Sequence, residues 1–240
     1  MNTYPPQYDA RAYQAAWGGQ TLDAHVTSVM KRVYLKMTLA LVVTAFVSLF
    51  CANSYGYLSF IANNSWAMWG LVIAEFAIVI GVSAGINKLS SMMATALFYL
   101  FAVINGMLLA PIFLIYTGAS IAQTFFITAG TFGAMSVYGY CTNRDLTKMG
   151  SILIMALFGI IIASLVNIFV QSEGLMWIIT YAGVLLFVGL TAWDTQQIKR
   201  MAQMAPADSA GRIATLGALN LYLDFINLFL YLLRIFGDRD

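Results

Sequence analysis

The fold class predicted here is an all-α integral membrane protein with seven transmembrane helices, the last one in the middle of the bundle. Three observations predict it. The 240-residue chain is 61% hydrophobic and only 9% charged, with a mean hydropathy of +0.80, whereas soluble domains carry roughly 25% charged residues. Its apolar residues fall into seven segments, each near the roughly 20 residues that cross a hydrocarbon core of about 30 Å. The last segment carries Asn220, Asp224, Asn227, Tyr231 and Arg234 at steps of four, three, four and three. On a helix that spacing is one polar stripe on an otherwise Leu, Ile and Phe cylinder. A stripe containing a carboxylate belongs against protein or water, not lipid.

Residues 1–30 read as a polar N-terminal tail rich in Tyr, Gln and Ala, with Pro5-Pro6 and Gly18-Gly19. It has no short apolar core followed by a small-residue cleavage site, so no removable signal peptide is expected. Residues 31–240 form the seven-helix transmembrane domain, with spans at 33–52, 66–86, 92–116, 121–140, 151–170, 175–193 and 216–236. The spacing is helical; strands of a membrane barrel would be about ten residues long and alternating. Within the third span, Asn105-Gly106 and Pro111 predict close helix approach and a freed carbonyl near mid-membrane.

Orientation follows from Lys and Arg. Arg11, Lys31, Arg32, Lys36, Lys88, Arg144, Lys148, Lys199, Arg200 and Arg212 lie on the side of the tail, ten of the twelve basic residues. Arg234 and Arg239 alone lie on the other. The expectation is a cytoplasmic N-terminus and a C-terminus outside.

Several classes are disfavoured. His25, the one histidine, sits in the polar tail, which removes Ser-His, Cys-His and zinc-hydrolase constellations together. Cys51 and Cys141 fall at opposite ends of the membrane, too far apart for a disulfide, and neither has a second soft ligand at metal spacing. No basic run with interleaved aromatics suggests nucleic acid. An intramembrane aspartyl enzyme would need two aspartates in the bilayer; Asp194 lies near the interface and no Gly-x-Gly-Asp surrounds Asp224, so no enzyme is expected.

Of the ten acidic residues, three need a reason to be where they are: Glu75 in the second span, Asp194 at the inner end of the sixth and Asp224 in the seventh. Asp194 precedes Lys199-Arg200, so it could sit in interfacial water paired with either; Asp224 could make an interhelical hydrogen bond to Asn, Ser or Tyr. Alternatively the two carboxylates meet, because their helices are consecutive and antiparallel. They would then hold one proton between them as a coupled pair. Falling pH would lock the helices together; rising pH would leave two like charges pushing them apart. Glu75 and Arg234 could form an ion pair closing the outer half, with Asn220, Asn227 and Tyr231 completing a pore stripe; alternatively Glu75 faces a neighbouring helix as a neutral acid. Calcium takes six to eight oxygens, so a pair of aspartates with a few amides would hold it only in passing.

Three motifs carry a resemblance: Leu97-Phe-Tyr-Leu-Phe-Ala-Val-Ile-Asn-Gly106-Met-Leu-Leu-Ala-Pro111-Ile-Phe, Thr191-Ala-Trp-Asp194-Thr-Gln, and Ala218-Leu-Asn-Leu-Tyr-Leu-Asp224-Phe-Ile-Asn227-Leu-Phe. Over residues 28–237 the chain resembles the Bax inhibitor 1-like family, in particular its bacterial inner-membrane members. That resemblance implies six helices surrounding the last. It implies a pH-sensitive calcium (cation) leak gated by a dyad at Asp194 and Asp224, with calcium only transiently at the pair and no tightly bound cofactor. Glu75 and Arg234 look like the family's secondary gating residues. The chain departs from members whose second span carries an arginine latch to the dyad; here that region reads Gly85-Ile-Asn87-Lys88. The alternative implied is an interaction protein that modulates a membrane protease or other inner-membrane assembly.

Overall fold

Helices carry the fold in the computed structural model, which describes residues 21–86, 88–204 and 206–238. Most of the predicted tail, with Arg11 in it, lies outside the described residues, as do Asn87 and Arg239. The helices are α1 (Leu22–Ala52), α2 (Tyr55–Asn63), α3 (Ser65–Gly85), α4 (Ser91–Leu109), α5 (Ile112–Ile115), α6 (Gly118–Cys141), α7 (Thr147–Val170), α8 (Glu173–Met204) and α9 (Ala210–Phe236).

Two helices extend beyond the apolar segments that announced them. α1 begins at Leu22 because Thr21 caps it, accepting the Ala24 N–H at 3.3 Å. His25 is therefore not in a polar tail; it lies in the first turn of α1 and is buried. α8 continues through Asp194 and Lys199 to Met204. The loop expected between the first two spans contains α2, capped by Ser54. In the third span Pro111, which has no N–H, divides α4 from α5. The carbonyl its missing N–H would have used, that of Met107, accepts the Tyr57 hydroxyl of α2 at 2.7 Å.

Among the described residues, six helical spans are long and apolar enough to cross a membrane: α1, α3, α4 with α5, α7, α8 and α9. α6 has 24 residues but is not among them. Its inward face is Ser120, Thr124, Thr128, Phe132 and Ser136 at steps of four, and those hydroxyls dilute its apolar character. Centrality is graded: in the most apolar window of each span, 67% of residues are buried for α9, 44% for α8 and 6% for α7. α9 packs against α8, α1, α6, α4 and α3, whereas α7 leans mainly on α8.

Lipid tails are as apolar as leucine, so packing and hydrogen bonding, rather than hydrophobic burial, hold such helices together. Phe98 and Phe101 of α4 meet Tyr222 of α9 edge-on, with ring centroids 5.8 and 5.6 Å away. On another side of α9, Phe125 and Phe132 of α6 meet Phe225, both at 5.4 Å. Each such pair contributes about 0.5–1.5 kcal/mol beyond its buried area. They fix the rotation of α9, and so the direction of its polar stripe.

The basic residues segregate. Lys31, Arg32, Lys36, Lys88, Arg144, Lys148, Lys199, Arg200 and Arg212 lie toward the end where α1 and α9 begin, and Arg234 alone among the described residues lies toward the other.

Candidate functional site: an acid pair between α8 and α9

α8 and α9 run antiparallel in close register. A Cβ on Gly217 would meet Ile198, and one on Gly183 would meet Tyr231. Between those two levels α8 presents Asp194 and α9 presents Asn220 and Asp224. The side chains of Asp194, Asp224 and Asn220 adjoin one another there. Asp194 is 7% exposed and Asp224 4%, and Asp224 Oδ2 has no hydrogen-bond partner. An ionised carboxylate only accepts, so a direct bond between the two needs a proton on one of them.

The packing around Asp194 is as tight as a backbone allows. Gly139 of α6 lies on the main chain of Ala192, and Gly150 of α7 lies under the Trp193 indole. Gln196 ties down the α6–α7 loop, its Oε1 accepting the Leu146 N–H at 2.9 Å and its Nε2 donating to the Arg144 carbonyl at 2.8 Å. Three neighbouring elements thus hold one short stretch of α8, and with it the direction of Asp194. The sequence reading missed these glycines and Gln196. The motif Thr191-Ala-Trp-Asp194-Thr-Gln holds Gln196 and the two residues on which the glycines pack, but the glycines themselves lie on other helices.

Neither basic neighbour pairs with Asp194. Lys199 donates to the Tyr140 carbonyl at 2.8 Å and lies 4.6 Å from the centre of that ring. Arg200 bonds Asp145 at 2.7 Å and also the Thr147 hydroxyl. Lys36 serves a different face of α9, donating to Thr95 Oγ1 at 2.7 Å and Thr215 Oγ1 at 2.6 Å. Lys88 is exposed at the end of α3.

Glu75 and Arg234 are not brought together. The Glu75 carboxyl meets the Asn105 amide at 2.7 Å, whose other end meets the Tyr222 hydroxyl at 3.0 Å, so Glu75 serves the α3–α4 side of α9. Arg234 is on the α8–α7 side, 3.4 Å from the Thr180 hydroxyl. The rotation of α9 fixed by its aromatic contacts separates them, and the expected ion pair does not form. Asn227, Tyr231 and Arg234 instead line a cavity of about 450 Å³ with Ser164 and Asn167 of α7. Tyr231 stacks on Phe187 at 5.9 Å, which places an aromatic pair near the inner side of that cavity. Asn227 turns its amide back to the Leu223 carbonyl at 2.8 Å.

Two carboxylates and one amide are the donor set at the pair, and no group of three or more His, Cys, Asp or Glu side chains suited to a metal occurs among the described residues. Cys51 and Cys141 are both free thiols.

A helical bundle with six spans of membrane-crossing dimensions among the described residues, and an acid pair buried between its two most enclosed helices, is the class that fold and site define. The chain belongs to the family described as Inhibitor of apoptosis-promoting Bax1, which it matches over residues 26–240; the resemblance read from the three motifs is borne out. It is 51% identical over 219 residues to the Inner membrane protein YbhL of Escherichia coli, covering 90% of this chain and 94% of that one. An uncharacterized protein of Borreliella burgdorferi is 48% identical, covering 88% of this chain and 91% of the relative. Another, from Rickettsia prowazekii, is 43% identical, with 92% and 93% covered.

Proposed function

We propose that this protein is a pH-sensitive calcium (cation) leak pathway of a bacterial inner membrane, with Asp194 and Asp224 as proton sensor and inner gate. The observation that carries this reading is the meeting of two buried carboxyl groups with Asn220, one carboxyl oxygen having no partner. In this reading all seven long helices cross the membrane around α9, with the N-terminus cytoplasmic and the C-terminus periplasmic. The segregation of basic residues supports that orientation, and the name of the Escherichia coli relative supports the inner-membrane location.

The gate works by charge. A shared proton binds the two helices through a carboxyl–carboxylate bond. Without it, two unit charges about 4 Å apart repel by about 4 kcal/mol at an effective dielectric constant of ~20. Fully coupled to opening, that shifts the open–closed equilibrium roughly a thousandfold. Lys199, Arg200 and Lys36 are engaged elsewhere, so none of these three offsets the repulsion, which an arriving metal ion would do. Three side-chain groups fall short of the six to eight oxygens of a calcium cage, which suits passage rather than storage. No chemistry on a substrate and no resident cofactor enters this reading.

Flux of calcium into proteoliposomes across about pH 5 to 8 tests it. Wild-type protein is expected to conduct more as pH rises, and Asp224→Asn to abolish the pH dependence. Unchanged flux and pH response in that variant would overturn the proposal.

A further inference from the structure

On the face of α9 away from the acid pair, four side chains from four helices touch in series. Glu75 of α3 meets the Asn105 amide at 2.7 Å, whose other end meets the Tyr222 hydroxyl at 3.0 Å. Tyr222 meets the Thr44 hydroxyl of α1 at 2.6 Å, and Thr44 meets the Ala102 carbonyl at 2.9 Å. Each hydroxyl brings one hydrogen, and a carbonyl brings none. The protons can therefore be counted.

Suppose Glu75 is ionised. The amide must then turn its NH2 to Glu75 and its oxygen to Tyr222. Two hydroxyl hydrogens remain for three oxygen–oxygen contacts, so one short contact has no hydrogen in it. Now put a proton on Glu75 and turn the amide over, its two ends being interchangeable in shape. The acid donates to Asn105 Oδ1, Asn105 Nδ2 donates to Tyr222, Tyr222 donates to Thr44, and Thr44 donates to the Ala102 carbonyl. All four contacts are then bridged, in one direction.

Depth agrees with the count. Glu75 is the eleventh of the 21 residues of α3, with no other charge on that helix, and the helix is mostly exposed to its surroundings. An ionised carboxylate at the middle of such a span is costly unless it is paired or hydrated. No salt bridge relieves it among the described residues. From α4 it is faced by Asn105 and from α9 by Tyr222, the one other titratable group in the series. Tyr57 of α2 spends its hydroxyl on the Met107 carbonyl.

We infer that Glu75 is a proton-binding site separate from the acid pair, held in its neutral, hydrogen-donating form, and that its proton orders a one-way chain through Asn105 and Tyr222 to Thr44. The chain fastens the central helix to α1, α3 and α4 two residues from Asp224. This inference does not depend on ion flux.

Infrared spectroscopy of the full-length protein tests it directly. The chain has two glutamates, Glu75 and Glu173, and Glu173 is exposed, so carboxyl-¹³C labelling of glutamate leaves the aspartate pair silent. At neutral pH the labelled protein is expected to show an isotope-shifted carboxylic-acid C=O stretch that Glu75→Gln removes. Asn105→Leu should keep the band and move it to higher wavenumber, because the acid loses its acceptor. A glutamate signal made only of carboxylate bands would overturn the inference, as would an acid band that Asn105→Leu leaves in place. The labelling difference is read on the wild type, so it does not rely on either variant folding.

Discussion

Asp145 and Asp194 are carboxylates toward the same end of the bundle, and their surroundings give them opposite work. Hydrogen bonds from the Thr147 hydroxyl and N–H, then the Arg200 guanidinium, hold Asp145 well below the usual carboxylate range. A depressed carboxylate contributes stability that is complete above its unfolded pKa of ~3.9 and is lost as pH falls through the folded value. Asp145 is exposed, so the contribution is small and salt-screened. Asp145→Asn is therefore expected to melt slightly below the wild type at neutral pH, with the gap closing as pH falls below about 4. A gap that persists undiminished into acid would show that the ion pair is not its source. Asp194 could be singled out from sequence because an acid one turn inside a basic pair is unusual. That Arg200 turns outward to Asp145 was not legible, since only the fold of the α6–α7 loop brings Asp145 alongside it.

At the scale of helices, Gly139 and Gly150 decide how closely α6 and α7 approach α8. A Cβ on Gly139 would strike the Ala192 main chain, and one on Gly150 the Trp193 ring, while one on Gly130 would meet nothing within 4 Å. Gly139→Ala and Gly150→Ala should each cost about 1–3 kcal/mol through overpacking, with Gly139 the worse because backbone cannot swing aside. Gly130→Ala should be neutral or stabilising by up to ~1 kcal/mol, since alanine is the better helix former. Thermal denaturation in detergent ranks the three, and equal effects would remove the close-approach explanation. Periodicity and length located the long helices, because apolar runs are bounded by polar loops in any membrane bundle. The ends of α1 and α8 were missed because each continues past the apolar run on polar residues, secured by the Thr21 cap at one and by contacts to Tyr140, Asp145 and Thr147 at the other. The rotation of α9 was also beyond the sequence. A stripe at helical spacing shows that five residues share a face, whereas its aromatic neighbours decide that Asp224 meets Asp194 and that Arg234 does not meet Glu75.

For the molecule as a whole, the open question is which end faces the cytoplasm, and the two native cysteines can answer it without an engineered probe. Cys141 ends α6 and is exposed at the basic end; Cys51 lies near the end of α1, at the opposite end, and is buried. A bilayer attracts its positive loops to the cytoplasmic face, and the described basic residues other than Arg234 share the end of Cys141. A membrane-impermeant maleimide should therefore label Cys141 in inverted vesicles and leave right-side-out cells unlabelled, with Cys141→Ser abolishing the signal. Detergent solubilisation should then expose Cys141 in both preparations while Cys51 stays unreactive until the bundle unfolds. Labelling of intact cells at Cys141 would reverse the orientation, placing the acid pair near the periplasmic side and turning its proton response toward the external medium. Under the proposed gating the same residues would then form an external acid sensor, so the direction of the basic end determines which compartment's pH would act on the pair.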